Sequence, residues 1–224
     1  MTNNIVFACF SPHPPLLLPT IGSEEDRTKV KKTIGSLKQL GKKLKKANPD
    51  QIIISAPHPD WGFNVPLYFL APDFKGEVKR LITGFEPPSF YFTKGKEVYQ
   101  KLYFEEGKSF CSEKGFHLAK GKTSALIASG DLSHCLKEDG PYGFHPDGPK
   151  FDQQLIECLK KKDIDGFLHL DEDFPEAGEC GLRSFSFLLG ILEAQKINWQ
   201  PKILSYEGPF GVGYLVADFI LGKR

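Results

Sequence analysis

The chain has 224 residues, 40% hydrophobic and 25% charged, which is typical of a globular domain that can bury a core without disulfide bonds. Its formal net charge of +1 gives no electrostatic reason to expect a nucleic-acid partner. No apolar stretch approaches the roughly 18 residues that suggest a membrane helix, the N-terminus lacks signal-peptide features, and the five cysteines show no paired spacing. We therefore expect one domain over residues 1–224, in the cytoplasm, with no membrane contact.

The first part of the chain predicts a strand, a helix and a second strand. Residues 4–10 form an apolar run, and Ser23 with Asp26 three positions later is typical of a helix N-cap. Apolar residues then recur at helical spacing, at Val30, Ile34, Leu37, Leu40 and Leu44. A second strand is predicted over residues 51–56. This βαβ order indicates an α/β fold with parallel strand pairing.

The predicted first helix is rich in lysine, with seven lysines between residues 31 and 46. Such a run can bind an anionic partner, but a solvated outer helix face is the commoner reason for it. We therefore interpret these lysines as a solvated face.

The rest of the chain predicts further elements of both kinds. Residues 64–92, rich in Pro, Phe and Gly, predict irregular strands and turns, and residues 139–149 predict a loop. Helices are predicted over residues 94–106, 150–161, 163–170 and 180–194. Strands are predicted over residues 124–129, 201–205 and 212–219.

Three of the six histidines follow predicted strands closely, namely His13, His58 and His134. In open α/β sheets, ligand sites form at the carboxyl ends of the strands. Because His13 and His58 each lie between prolines, their backbone is stiff, and this suits a metal ligand. The alternative is that Pro-His-Pro only terminates a strand.

A metal site with two imidazoles needs a further donor, and divalent iron commonly takes a carboxylate. Glu179 lies at the predicted start of a helix, where a carboxylate also acts as a plain helix cap. Asp131 precedes His134 by three residues and could orient its ring or satisfy a backbone amide of the turn.

Four stretches carry a family resemblance: "SPHPP" at 11–15, "APHPD" at 56–60, "SGDLSH" at 129–134 and "AGECG" at 177–181. With them the chain resembles the catalytic subunit of class III extradiol ring-cleavage dioxygenases, the LigB-like family. It is most similar to an uncharacterised subgroup related to Memo-type proteins, which also shares "DGPYGF" and "YEGPFGVGYLVA". The resemblance implies a three-layer α/β/α sandwich around a central mixed, partly parallel sheet.

The resemblance also implies roles for individual residues. His13, His58 and Glu179 become the metal ligands, and His134 becomes the catalytic acid–base, with Asp131 beside it. Fe(II) is the expected cofactor, and a small, catechol-like aromatic molecule is the expected substrate. Since many ring-cleaving relatives use a small partner subunit, we expect either such a subunit or a homo-oligomer.

The presence of Cys180 allows alternative functions. Memo-type relatives carry Cys-Gly where this chain has Cys180-Gly181, so Cys180 is an alternative third ligand, and a thiolate favours zinc or copper over Fe(II). The alternatives are a Memo-type metal-binding protein that recognises a peptide or partner without ring cleavage, and a zinc-dependent hydrolase. Tyr206, Glu207 and His145 are the predicted substrate-binding residues, the last in a loop that could fold over the site.

Overall fold

The computed structural model describes residues 5–104 and 121–222. Six strands form one sheet in the order β3-β2-β4-β1-β6-β5. They are β1 (Ile5–Ser11), β2 (Gln51–Ala56), β3 (Glu77–Ile82), β4 (Ser124–Ser129), β5 (Trp199–Glu207) and β6 (Tyr214–Leu221). The first four strands pair in parallel, whereas β6 is antiparallel to both β1 and β5. The sheet is therefore mixed and partly parallel, as predicted.

Helices cover both faces of this sheet. In the described residues they are α1 (Glu24–Lys29), α2 (Lys31–Ala47), α3 (Trp61–Leu70), α4 (Pro88–Phe104), α5 (Asp147–Lys161), α6 (Ile164–Leu168), α7 (Leu170–Asp173) and α8 (Leu182–Ala194). None of these helices combines the length and the apolarity that crossing a bilayer would require.

Two hydrophobic cores confirm the three-layer architecture. Because side chains alternate along a strand, Ile52 and Ile54 of β2 face the core under α2 and α3, while Ile53 faces the core under α4, α5 and α8. Both faces of the central strands are buried, which explains why they read as continuous apolar runs in the sequence.

The start of the chain follows its sequence signals closely. Ser23 and Asp26 form the expected capping box at α1, since the Ser23 hydroxyl accepts from the Asp26 N–H and the Asp26 carboxylate accepts from the Ser23 N–H. Helix α2 ends at Asn48, which takes the left-handed conformation common at helix C-termini. Strands β1 and β2 run in the same direction, but β4 lies between them, so they do not pair directly.

The prediction of irregular strands and turns over residues 64–92 was correct for a strand but missed the parts of two helices. This stretch contains most of α3, all of β3 and the beginning of α4. Helix α3 is apolar on nearly all sides and contains Pro66, so it lacks the polar–apolar period of an ordinary surface helix. Helix α4 begins at Pro88, a residue suited to the first helical position, rather than at residue 94.

The position of β4 determines where the histidine-bearing loops meet. Since β2, β4 and β1 are adjacent and parallel, their carboxyl ends lie side by side at one edge of the sheet. The loops that follow these three strands carry His58, His134 and His13, in that order across the sheet. The sheet topology thus gathers residues that are more than a hundred positions apart in the chain.

Candidate metal centre

His13 follows β1 directly and is buried. Its Nδ1 atom lies 2.9 Å from the hydroxyl oxygen of Ser129, the last residue of β4. Ser129 is also the register partner of Ser11 in the parallel pair β1/β4. This hydrogen bond fixes the orientation of the ring and leaves Nε2 as the nitrogen available to a ligand.

His13 belongs to a compact group with Asp131 and Cys180. The three donor atoms all lie within 4.8 Å of one another. Nε2 of His13 is 3.7 Å from the Cys180 Sγ and 3.8 Å from an Asp131 carboxylate oxygen. Because zinc ligands lie about 2.0–2.3 Å from the ion, neighbouring ligand atoms end up roughly 3–4 Å apart, and the group matches this spacing.

His58 lies beside this group. Its ring centroid is 4.7 Å from that of His13, with the two rings nearly perpendicular. His58 is exposed, and its Nδ1 atom is 3.1 Å from the carbonyl oxygen of Pro59. The two Pro-His-Pro histidines are therefore brought together, but only His13 contributes a nitrogen to the compact donor group.

Glu179 uses its carboxylate elsewhere. One oxygen accepts a 2.7 Å hydrogen bond from the N–H of Leu182, the first residue of α8, and the other accepts a 3.0 Å hydrogen bond from the Arg183 guanidinium. Burial raises the pKa of Glu179, while the Leu182 N–H and Arg183 lower it. These are the contacts of a helix cap, and the described donors within 4.8 Å of one another include Cys180 rather than Glu179. The structure thus does not bring Glu179 into the site as the sequence predicted.

Asp131 links the loops that carry the other donors. Its carboxylate accepts a 3.0 Å hydrogen bond from the backbone N–H of His13, and its carbonyl oxygen accepts one from the N–H of Gly181. The carboxylate thus satisfies a backbone amide, but that of His13 on the loop after β1 rather than one of its own turn. Burial raises the pKa of Asp131 to about 6, against the lowering effects of the His13 N–H and of His134.

The two loops that meet at Asp131 pack backbone against backbone. A Cβ atom on Gly130 would lie only 2.1 Å from the Cα of Gly181. A side chain at Gly130 would therefore separate the two loops and with them Asp131 and Cys180. The glycines in "SGDLSH" and "AGECG" explain why the donor group is compact.

His134 lies on the loop of Asp131 and has an unsatisfied ring nitrogen. Its Nε2 atom is buried and has no hydrogen-bond partner among the described residues. Burial lowers the pKa of His134, although Asp131 raises it. Burial and the neighbouring His58 lower the pKa of His13 to about 3. Both imidazoles are thus neutral near pH 7, which is the form that binds metals and accepts protons. A buried nitrogen without a hydrogen-bond partner, on the loop that also carries Asp131 of the donor group, fits a site that holds a metal ion and a molecule bound to it.

Tyr142 is a site residue that the sequence analysis did not single out. Its ring lies edge-on to that of His134, with 5.3 Å between centroids, and it remains 66% exposed. Gly178, which has a positive φ of 63°, permits this arrangement because a Cβ there would lie 2.8 Å from the Tyr142 ring. The quoted motif "DGPYGF" contained this tyrosine, but nothing in its spacing indicated a contact with His134.

The three predicted substrate-binding residues have other contacts. The Tyr206 hydroxyl donates to the Asp152 carboxylate at 2.6 Å, whereas Glu207 accepts from the backbone N–H and the hydroxyl of Thr33 at the start of α2. As neighbours on β5, they point to opposite faces of the sheet. His145 is half-exposed, and its Nδ1 accepts from the Asp147 N–H. Their role in substrate binding stays a prediction.

Comparison with known proteins tests the family resemblance. A family model described as the catalytic LigB subunit of aromatic ring-opening dioxygenase matches residues 116–217. The LigB resemblance is therefore confirmed. The matched segment of this LigB-like chain contains Asp131, His134 and Cys180, whereas His13 and His58 precede it.

Two similar proteins extend the comparison beyond that segment. Protein CA_C1420 of Clostridium acetobutylicum is 32% identical over 259 aligned positions, which cover 91% of this LigB-like chain and 55% of the relative. The chain thus spans about half the length of that relative. The solved structure of the uncharacterized protein JW3007 of Escherichia coli K12 has a TM-score of 0.58 at 15% identity, with 96% of this chain and 99% of that chain covered. This second similarity shows the shared fold.

Proposed function

We propose that this LigB-like chain is a non-haem, Fe(II)-dependent enzyme that opens the ring of a catechol-like substrate by extradiol cleavage. The observation that supports the proposal is the clustering of donors from His13, Asp131 and Cys180 at the carboxyl edge of the sheet, with His58 and His134 beside them. This is the edge at which α/β folds place their ligand sites.

The donors that would hold the metal come from three loops. His13 would bind through Nε2, Cys180 through Sγ and Asp131 through the carboxylate oxygen that faces them, and the imidazole of His58 lies beside His13. When bound, a divalent ion supplies a Lewis acid that polarises substrate oxygens. Ser129 contributes by holding the His13 ring through Nδ1.

His134 and Tyr142 would act on the substrate directly. A neutral His134 can take a proton from a substrate hydroxyl and return one later, because an imidazole serves in both directions near neutral pH. The exposed ring of Tyr142 offers an aromatic wall next to His134, against which a flat ring can pack.

A second candidate function is zinc-dependent hydrolysis at the same site, and Cys180 favours it. A sulfur donor is softer than a carboxylate and suits zinc or copper better than Fe(II). In that reaction His134 would serve as the base toward water rather than toward a phenol.

Metal analysis and oxygen consumption separate the two candidates. We expect anaerobic loading with Fe(II), followed by oxygen and a panel of catechols, to give substrate-dependent oxygen uptake, and loading with zinc to give none. His134→Gln should reduce the uptake on the order of 100-fold, the usual contribution of a positioned acid–base. His169→Gln, at an exposed position between α6 and α7, is the control and should change little.

Two outcomes would contradict the proposed ring cleavage. Iron-loaded protein without oxygen uptake on any catechol, combined with zinc-dependent cleavage of ester substrates, would favour the hydrolase. Metal binding without either reaction would leave a binding protein of Memo type. The expected homo-oligomer is tested separately by light scattering of the purified chain. The expected small partner subunit is tested by asking whether a lysate fraction restores activity to the purified chain.

A further inference from the structure

Helix α2 and the segment that follows α3 line an open cavity, with a volume of about 670 Å³. Its walls come from the second half of α2 and from residues 69–76. Pro49 and Gly76, which also line it, stand just before β2 and β3. The cavity therefore lies at the amino ends of these strands, whereas the metal centre lies at their carboxyl ends.

The inner walls of this α2–α3 cavity are apolar. Leu44 and Leu70 are buried in the core beneath it, and Phe69 and Phe74 pack against the same core. The two helices touch at Gly41, where a Cβ atom would lie 2.4 Å from the carbonyl oxygen of Phe69. A ligand that displaces water from these walls gains the usual hydrophobic stabilisation.

The rim of the cavity is positively charged. Lys38, Lys42 and Lys45 recur at helical spacing on one face of α2, and Lys75 stands on the facing segment. Against these four lysines the lining contains one acidic residue, Asp73. Ion pairs with carboxylates involve none of the four in the part of the chain that the structure describes.

This arrangement gives part of the lysine run a second interpretation beside the solvated face. Helix α2 has seven lysines and no acidic residue, in a chain whose overall charges almost cancel. Its Lys43 pairs with Asp218 of β6, but the three cavity lysines have no such partner among the described residues. Lysine stems extend along apolar surface while their ammonium groups stay in water, so they can meet a charged group at the mouth of an apolar cavity.

We propose that the α2–α3 cavity binds a small amphipathic anion with an aliphatic body and a carboxylate head, such as a medium-chain fatty acid. The volume falls within the roughly 300–1,000 Å³ of small-molecule sites. The apolar walls receive the body, and the lysines of α2 together with Lys75 receive the head. A bare inorganic anion would use only the rim, and a neutral alcohol would use only the walls.

The test uses decanoate as the probe, at concentrations where it is monomeric, with decan-1-ol and inorganic phosphate as comparisons. We expect isothermal titration to show saturable binding of decanoate and at least several-fold weaker binding of the other two. Lys38→Gln/Lys42→Gln/Lys45→Gln should weaken decanoate binding on the order of tenfold, since exposed ion pairs each contribute modestly. Lys31→Gln/Lys32→Gln/Lys46→Gln removes the same charge from exposed positions outside the cavity lining and should change the affinity less than twofold.

Several results would overturn the proposal. Equal affinities for decanoate and decan-1-ol, or equal losses in the two triple variants, would show that the cavity lysines do not recognise a head group. Unchanged decanoate binding in Ala71→Phe, which places a ring at the cavity wall, would show that the ligand lies elsewhere. Sedimentation with phosphatidylglycerol vesicles but no binding of monomeric decanoate would assign the lysines to a membrane surface instead.

Discussion

Asp152 of α5 supports the loop of His134 from behind. It is buried, and one carboxylate oxygen accepts from the backbone N–H of Ser133 at 2.8 Å, while the other accepts from the Tyr206 hydroxyl at 2.6 Å. Gly213 leaves the room for it, because a Cβ there would lie 2.2 Å from the carboxylate. Asp152 therefore fixes the backbone next to His134 without touching the donor group.

The ionisation of Asp152 should make stability depend on pH. Burial raises its pKa to about 7, against the lowering effects of Tyr206 and the Ser133 N–H. Between pH 4 and 7 the unfolded carboxyl is ionised while the folded one keeps its proton, so stability falls as pH rises through this window. Each pH unit costs about 1.4 kcal/mol for one such group. We expect Asp152→Asn to remove this contribution from the pH dependence of stability, measured by urea unfolding of the metal-free protein.

Two details sharpen the pH experiment. Asp131, whose pKa is raised to about 6, contributes a slope of the same sign, whereas His13 and His134, whose pKa values are lowered, contribute slopes of the opposite sign. All three remain in the variant, so the contribution of Asp152 is read from the difference between the slopes of variant and wild type. Asp139→Asn, in an exposed loop, is the matched control and should leave the slope unchanged. An equal slope in Asp152→Asn and wild type would show that Asp152 is ionised in the folded protein.

The sequence predicted the positions of some site residues better than those of others, for a physical reason. The positions of His13 and His58 followed from prolines at strand ends, which is a local signal. The role of Glu179 depended on whether its carboxylate would reach a metal or the first turn of α8, and this is decided by the way the loops of Gly130 and Gly181 pack. Contacts between loops that are 50 residues apart leave no local pattern.

At the scale of elements, the closest helix packing is that of α4 on α8. A Cβ atom on Gly190 would lie 2.0 Å from the carbonyl oxygen of Phe92, and one on Gly95 would lie 2.2 Å from that of Phe187. Because both obstacles are backbone atoms, no rotamer change can relieve them. Helix α8 in turn covers β4 and β2, whose carboxyl ends carry His134 and His58.

This packing predicts opposite effects for two glycine substitutions in helices. Gly190→Ala should destabilise the protein by about 1–3 kcal/mol, because the added methyl forces α4 and α8 apart. Gly35→Ala in α2 meets nothing within 4 Å and should stabilise it by up to about 1 kcal/mol through helix propensity. Chemical unfolding measures both. A destabilised Gly35→Ala or a neutral Gly190→Ala would contradict the described packing.

The predictability of each element follows its pattern of polarity. Helices α2 and α5 have one apolar and one charged face, and both were predicted, although the helix predicted from Ser23 onward is divided at Val30 into α1 and α2. Strands β2 and β4 were predicted with correct bounds because both faces are buried and the runs are short. Helix α3 was missed because it is apolar all round. Strand β3 was predicted only as an irregular strand without bounds, because it carries charges.

At the scale of the whole molecule, the donor group joins distant parts of the chain. His13 follows β1, Asp131 follows β4, and Cys180 precedes α8. A metal held by these residues would connect segments that only the folded sheet brings together. Binding should therefore stabilise the folded protein, because the unfolded chain offers no assembled site.

Thermal unfolding with and without added zinc can decide whether Cys180 or Glu179 is a metal ligand. At about 100 times the dissociation constant, binding adds about 2.7 kcal/mol, which corresponds to a rise in Tm of roughly 5–10 °C for a protein of this size. We expect Cys180→Ser to keep the Tm of the metal-free protein within a few degrees and to lose most of this rise, because it removes a donor from the compact group. Glu179→Gln should behave in the opposite way, since it weakens the pairing with Arg183 and the cap of α8 but removes no clustered donor. It should lower the Tm of the metal-free protein and retain the rise, and the reverse pattern would return Glu179 to the ligand set.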